Sequence, residues 1–145
     1  MDAGTPLVDI GRVIQLAVAP VFLLSGIGII LTVLTNRLAR VIDRARRLEE
    51  AARSASGQSL EEQRVELHVM ALRARLMNRA ITFSTGSALL VALVVVLLFL
   101  SALLDFNATL PVAVLFILAM LSLIGALLLF LREVVLAIKA LKIGV

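Results

Sequence analysis

The feature that most constrains this chain is an arginine-rich stretch at residues 36–79, which lies between long apolar runs. The stretch carries ten arginines, and its only glycine is Gly57. It is too highly charged to enter a bilayer, whereas the runs on either side are too apolar to remain in water. The chain must therefore hold this stretch outside the hydrocarbon and keep its flanks inside.

Three apolar runs are long enough to cross a membrane. Residues 16–34, 81–104 and 110–131 contain no charge, and each run reaches the ~20 residues that span a ~30 Å hydrocarbon core. The 61% hydrophobic share and the mean hydropathy of +1.10 exceed what a soluble core of this size uses. Because backbone amides in hydrocarbon must bond within the chain, and these long runs show no strand alternation, we expect an all-α membrane protein. It forms a single membrane domain over 1–145, with spans at about 13–35, 81–104 and 110–131.

The distribution of basic residues predicts the orientation, since Lys and Arg stay preferentially on the cytoplasmic side. Ten arginines lie between the first two runs, and Arg132, Lys139 and Lys142 follow the third. The loop at 105–109 has no basic residue. We therefore expect a multi-pass protein of the cytoplasmic membrane with its amino terminus outside and its carboxyl terminus in the cytoplasm.

Apolar residues continue from the first run into the arginine-rich stretch at alternating spacings of three and four, which is typical of a coiled-coil seam. A second seam precedes the second run. Gly57 suits a helix C-cap, and Ser59 with Glu62 suits a capping box on the returning helix. We predict that 36–79 is a cytosolic antiparallel helical hairpin formed by extensions of helices 1 and 2. The seams are Leu34, Leu38, Val41, Ala45, Leu48 and Ala52, and Leu60, Gln63, Leu67, Met70, Ala74, Met77 and Ile81.

A second apolar stripe on the returning arm has no partner in a lone two-helix hairpin. Its residues Val65, Val69, Leu72 and Leu76 recur at helical spacing. Such an uncovered stripe predicts an interface between copies of the chain. The alternative is that the stripe contacts the carboxyl-terminal tail or the membrane surface.

No residue set matches a catalytic, metal or cofactor site, so we expect neither an enzyme nor a bound cofactor. The single histidine, His68, lies beside Arg64 in the middle of an arm and is predicted to be a solvated surface residue. The basic stretch has no interleaved aromatic residues, which argues against nucleic-acid binding. Contact with anionic lipid is the better expectation for the exposed Arg and Lys side chains.

Polar and small residues form a line down the first helix, opposite the seam. The line comprises Ser25, Gly28, Thr32, Asn36, Arg40, Asp43, Arg47 and Glu50. One interpretation is close helix packing against Asn78, Thr82, Thr85 and Gly86 of the second helix. The other places the line around a symmetry axis, where Ser25, Gly28, Thr32, Asn36, Arg40 and Arg47 line a pore.

Two functions follow from these alternatives. The first is a homo-oligomeric, ion-conducting pore that favours anions because Arg40 and Arg47 ring its cytosolic mouth; Asp43 on the same line lowers that potential. The second is a non-conducting scaffold or regulatory subunit whose cytosolic arms bind a partner.

Three segments carry a family resemblance: 19–28 (APVFLLSGIG), 36–46 (NRLARVIDRAR) and 78–81 (NRAI). With their placement in the chain, they resemble a family of small bacterial membrane proteins catalogued as domain of unknown function 2721. The resemblance covers nearly the whole chain. It implies a bacterial source, hence the bacterial inner membrane, and three spans, and it supplies no functional residues.

Overall fold

The computed structural model describes residues 6–54 and 57–143, with side chains described for 10–54, 57–139 and 141. Over these residues the chain forms α1 (Pro6–Ser54), α2 (Gln58–Leu104) and α3 (Thr109–Ile143). All three helices are long and apolar enough to cross a membrane. The predicted all-α class and the three candidate membrane helices are confirmed, which indicates a membrane protein in contact with the lipid bilayer.

The helices extend well beyond the apolar runs. Pro6 is the first residue of α1, where proline is tolerated because the first amides of a helix lack an intrahelical acceptor. α1 then continues for 49 residues, which corresponds to about 70 Å at 1.5 Å per residue and far exceeds a ~30 Å hydrocarbon core. α3 likewise continues to Ile143, so the carboxyl-terminal segment extends the third helix.

The turn before α2 depends on Gly57, whose φ of 72° lies in the left-handed region that glycine adopts without strain. The Glu61 amide donates to the Gly57 carbonyl at 3.3 Å, and α2 begins at Gln58. Ser59 therefore lies inside the first turn of α2. The first residue of a capping box stands immediately before the helix, and Gly57 occupies that position, so Ser59 and Glu62 do not form the expected capping box.

At the turn between α2 and α3, hydrogen bonds cap both the end of α2 and the start of α3. Asp105 has a φ of 55°, and the Phe106 amide donates to the Ser101 carbonyl at 3.3 Å. This hydrogen bond spans six residues, and it is the 6→1 bond of the Schellman motif that ends many helices. On the other side, the Asn107 side-chain oxygen accepts from the Thr109 amide at 3.1 Å, which caps α3.

The chain divides into two compact units, each drawing on all three helices. Unit 1 comprises Met1–Ile30 and Phe83–Ile124, and unit 2 comprises Leu31–Thr82 and Gly125–Val145, within the described residues. In unit 1 the buried residues of α1 are Val13, Ala17, Pro20 and Ile27, at spacings of four, three and seven. The buried residues that α2, α3 and the turn between them add to this unit are Ser84, Ser87, Val91, Val94, Ala108, Ala119 and Leu123.

Unit 2 is built on a hydrophobic cluster of Val41, Met70 and Met77. Leu38, Ala45, Leu48 and Ala74 pack against these three side chains. All seven belong to the seams predicted from the sequence, so the alternating spacing correctly identified the residues that meet between α1 and α2 in this unit. The chain also buries Leu34 and Ala80 here.

Candidate functional site

The polar line of α1 is exposed in the structure. Side chains of Ser25, Thr32, Asn36, Arg40 and Arg47 are all exposed, and Gly28 is exposed as well. The Ser25 hydroxyl donates to the Val21 carbonyl of its own helix at 3.4 Å. A Cβ added at Gly28 would meet no atom within 4 Å. These six residues, proposed to line a pore, therefore lie outside the packed core of the single chain.

Close packing by small residues occurs elsewhere, between α2 and α3 of unit 1. The Ser87 hydroxyl donates to the Ala119 carbonyl at 2.8 Å, and the Ser122 hydroxyl donates to the Phe83 carbonyl at 2.7 Å. A Cβ built on Gly86 would lie 3.7 Å from the Ser122 hydroxyl oxygen. Gly86, one of the residues expected to pack against the α1 line, thus faces α3.

The most distinctive polar group is a buried carboxylate in unit 2. Glu133 of α3 has 0% of its side chain exposed. Its Oε2 accepts from Arg37 Nε at 3.0 Å and from Arg37 Nη2 at 2.7 Å. Its Oε1 accepts from Arg73 Nε at 2.9 Å. One side chain from each helix thus meets in a cluster, which we call the Glu133 cluster: Arg37, Arg73 and Glu133.

The chemistry of the Glu133 cluster explains why a carboxylate can be buried there. An unpaired ion in a low-dielectric interior costs several kcal/mol, whereas both oxygens of Glu133 are engaged by guanidinium groups. The Arg37 guanidinium also lies 5.5 Å from the centre of the Phe130 ring, a favourable cation–π distance. With two cations on one anion, the cluster keeps one net positive charge, and Arg37 keeps about a third of its side chain exposed.

Glu133 was not identified from the sequence, although one signal was available. It is the only acidic residue after Asp105, and it follows Arg132 at the end of the third apolar run, where the other charged residues are basic. Its partners Arg37 and Arg73 belong to the ten arginines between the first two runs, whose sequence pattern bears on orientation alone.

The predicted oligomer stripe is partly exposed. Val65 and Leu72 are exposed by 62% and 42%, Val69 is half-buried, and Leu76 is buried within unit 2. Leu76 is therefore covered by its own chain. The outward-facing part of the stripe consists of Val65, Leu72 and the exposed portion of Val69.

An ion pair and a histidine are the other charged or titratable features of the arms considered as a site. Arg44 on α1 and Glu66 on α2 form an ion pair at 2.7 Å, with the Arg44 side chain largely in solvent. His68 is exposed. Within residues 6–54 and 57–143, no group of three or more acidic or histidine side chains is placed to hold a metal ion.

Comparison with known proteins agrees with the family resemblance of the three segments. Neither the curated proteins nor the solved structures include a match to the chain. A family model described as "Protein of unknown function (DUF2721)" matches residues 17–143, and the chain therefore belongs to this family.

Proposed function

We propose that the chain assembles into a homo-oligomer in the bacterial cytoplasmic membrane and forms an ion-conducting pore that favours anions. In this proposal the α1 polar line of each copy faces a central axis. The arms at 36–79 form an antiparallel hairpin in the cytosol. The amino terminus lies outside the cell and the carboxyl terminus inside.

The observation that carries the pore proposal is the exposure of the α1 polar line. Ser25, Gly28 and Thr32 fall within an apolar run of 19 residues, yet the chain's own helices leave all three uncovered. Small and hydroxylated residues on an exposed helix face suit close packing against another helix or the wall of a water-filled pore. Copies arranged around an axis would place these residues against a water-filled pore or against the helix of a neighbouring copy.

The anion preference depends on which arginines keep an uncompensated charge. Glu133 offsets one of the two cations of its cluster, whereas Arg40 and Arg47 are exposed and belong to the polar line. By sequence, unit 2 holds thirteen basic and seven acidic residues, against one basic and three acidic in unit 1. Positive charges concentrated at one mouth of a pore raise the local concentration of anions. Asp43 reduces this effect, so we expect a preference rather than exclusion of cations.

A specific feature of unit 2 favours a second candidate, a non-conducting scaffold or regulatory subunit. A cavity of ≈550 Å³ runs along the arms, with Ala45 and Ala71 among its apolar lining and Arg46, Arg64 and Glu49 among its polar lining. The two arginines outnumber the one carboxylate, and an apolar floor with this net positive edge suits a helix that carries acidic residues. In this candidate the arms recruit such a helix from a partner protein.

Reconstitution in liposomes with an ion-flux readout distinguishes the two candidates. We expect wild-type vesicles to conduct, and Gly28→Leu or Thr32→Leu to suppress the flux because each adds apolar bulk at a constriction. Val33→Leu is the matched control, since Val33 is an exposed residue of the same helix outside the line.

A charge reversal tests the selectivity. Arg40→Glu with Arg47→Glu should shift the preference from anions toward cations. Arg53→Glu with Arg75→Glu makes the same change in net charge at exposed positions outside the line and should leave selectivity unchanged. Wild-type vesicles that are no leakier than empty ones across voltages and pH would remove the pore and leave the scaffold candidate.

A further inference from the structure

A second cavity lies in unit 1, at the end that contains the turn between α2 and α3. Its volume is ≈600 Å³, within the range of small-molecule sites in proteins. The beginning of α1, the end of α2, the turn and the beginning of α3 all contribute to its lining. No feature of the proposed pore uses this cavity.

Two opposite charges line the cavity, on Arg12 and Asp105. Arg12 is the only basic residue of unit 1 by sequence. Neither Arg12 nor Asp105 has an ion-pair partner among the side chains at 10–54, 57–139 and 141, and both residues are exposed. A ligand that carries both a negative and a positive group would meet a counter-charge for each.

Two other polar side chains of the cavity, Ser101 and Asn107, are engaged in the turn. The Ser101 hydroxyl donates to the Phe106 carbonyl at 2.8 Å, and the Asn107 side-chain oxygen accepts from the Thr109 amide. These bonds hold the turn that presents Asp105. The position of Asp105, with φ at 55°, is one that glycine most often occupies at the end of a helix. An aspartate there keeps the backbone geometry and adds a carboxylate at the cavity.

The apolar part of the lining includes Leu16, Leu98 and Val112. Leu16 is exposed by 56% although it begins the first apolar run. The cavity thus combines separated opposite charges with aliphatic side chains of helices that are apolar enough to cross a membrane. That combination matches an amphiphile with a zwitterionic head and a hydrocarbon tail.

We propose that this cavity binds a phospholipid with a primary-amine headgroup, of the phosphatidylethanolamine class. The Arg12 guanidinium binds the lipid phosphate, and the Asp105 carboxylate accepts hydrogen bonds from the ammonium. The first part of an acyl chain lies along Leu16, Leu98 and Val112. The site is independent of whether the protein conducts ions.

Native mass spectrometry of the delipidated, detergent-solubilised full chain, titrated with defined lipids, tests this site. Phosphatidylethanolamine should be retained about threefold to tenfold more than phosphatidylcholine, whose quaternary amine cannot donate a hydrogen bond to Asp105. Retention of phosphatidylethanolamine should exceed that of phosphatidylglycerol, which lacks the amine, by a similar factor. Equal retention of the three lipids would overturn the proposal, because it would mean unspecific annular lipid only.

Substitutions of Arg12 and Asp105 test whether these two side chains bind the lipid. Arg12→Gln and Asp105→Asn should each reduce phosphatidylethanolamine retention to the level of phosphatidylcholine, and asparagine tolerates the left-handed backbone at this position. Arg132→Gln and Asp43→Asn remove exposed charges outside the cavity and should retain the lipid as the wild type does. If the Arg12 and Asp105 variants bind as the wild type does, the site is wrong.

Glycerophosphoethanolamine carries the same charges as the lipid headgroup but has no acyl chains. It tests whether the site binds the intact lipid or a soluble zwitterion. We expect it to compete poorly with the intact lipid, because it lacks the contact with the aliphatic lining. Competition as strong as that of the lipid would show a site for a soluble zwitterion and would overturn the lipid proposal. Because the headgroup comparison uses the unaltered chain, it stands even if a variant fails to fold.

Discussion

Arg37 of α1 holds the buried carboxylate of Glu133 on α3 through two guanidinium nitrogens, which lie 3.0 and 2.7 Å from the same oxygen. The second oxygen is held by Arg73 of α2 at 2.9 Å. A single side chain therefore ties all three helices together within unit 2. Any movement of α3 against the arms in this unit has to break at least one of these charged hydrogen bonds.

The first prediction concerns the stability that Glu133 provides. Glu133→Gln leaves Arg37 and Arg73 beside a neutral amide, and we expect the free energy of unfolding to fall by about 3 kcal/mol, as when a buried ion pair loses one partner. Unfolding in detergent micelles, followed by helix content, measures the change. Glu66→Gln breaks the exposed pair with Arg44 and should cost under about 1 kcal/mol. Equal effects of the two variants would show that burial adds nothing.

The cluster also illustrates which parts of this protein could be predicted from sequence. Helices and seams depend on local spacing, so the contacts of Val41, Met70 and Met77 followed from periodicity alone. Glu133 has no local pattern, because its partners lie 96 and 60 residues away along the chain. Only the fold brings these three charges together.

Leu76 shows a related limit of periodicity. Its spacing placed it on a stripe that a two-helix hairpin would leave uncovered, yet it is buried. Unit 2 also contains the end of α3, the carboxyl-terminal segment that the sequence offers as the alternative contact of this stripe. Val65 and Leu72 of the same stripe are exposed, and their place at an interface between copies stays a prediction.

The second prediction concerns topology. The chain has no cysteine, so single cysteines can be introduced without other changes. Asn107→Cys should react with a membrane-impermeant thiol reagent in intact cells, because the α2–α3 turn is proposed to lie outside. Gln58→Cys, at the start of α2, should react only after the cells are opened. Labelling of Gln58→Cys in intact cells would contradict the proposed orientation.

The third prediction concerns self-association through the exposed stripe. Val65→Glu with Leu72→Glu adds two negative charges to an apolar surface, and desolvating them at an interface between copies is unfavourable. Light scattering of the solubilised protein should show a smaller particle with unchanged helix content. Ile42→Glu, at an exposed apolar position of the other arm, is the control. A wild-type protein that is already monomeric in native mass spectrometry would exclude this role for the stripe.

The fourth prediction compares two glycines. At Gly86 a Cβ would make an ordinary contact of 3.7 Å with the Ser122 hydroxyl, so Gly86→Ala should fold normally. Gly86→Leu should cost about 1–3 kcal/mol through overpacking of α2 against α3. Gly28→Leu should leave stability unchanged, because a Cβ at this position has no neighbour within 4 Å. Destabilisation by Gly28→Leu as large as that by Gly86→Leu would mean that α1 packs against another surface at this position.

The last prediction compares two buried hydroxyls on α2, both with 0% exposure. Ser87 donates to the Ala119 carbonyl, whereas the Ser84 hydroxyl oxygen has no hydrogen-bond partner among the described residues. Ser87→Ala removes an interhelical bond and should lower the free energy of unfolding by about 0.6–2 kcal/mol. Ser84→Ala removes a polar group whose burial is uncompensated, so stability should stay equal or rise by up to about 1 kcal/mol. Unfolding both variants by denaturant in micelles gives the two changes in the free energy of unfolding. If Ser84→Ala lowers it as much as Ser87→Ala, the Ser84 hydroxyl is hydrogen-bonded in the folded protein, for example to a buried water.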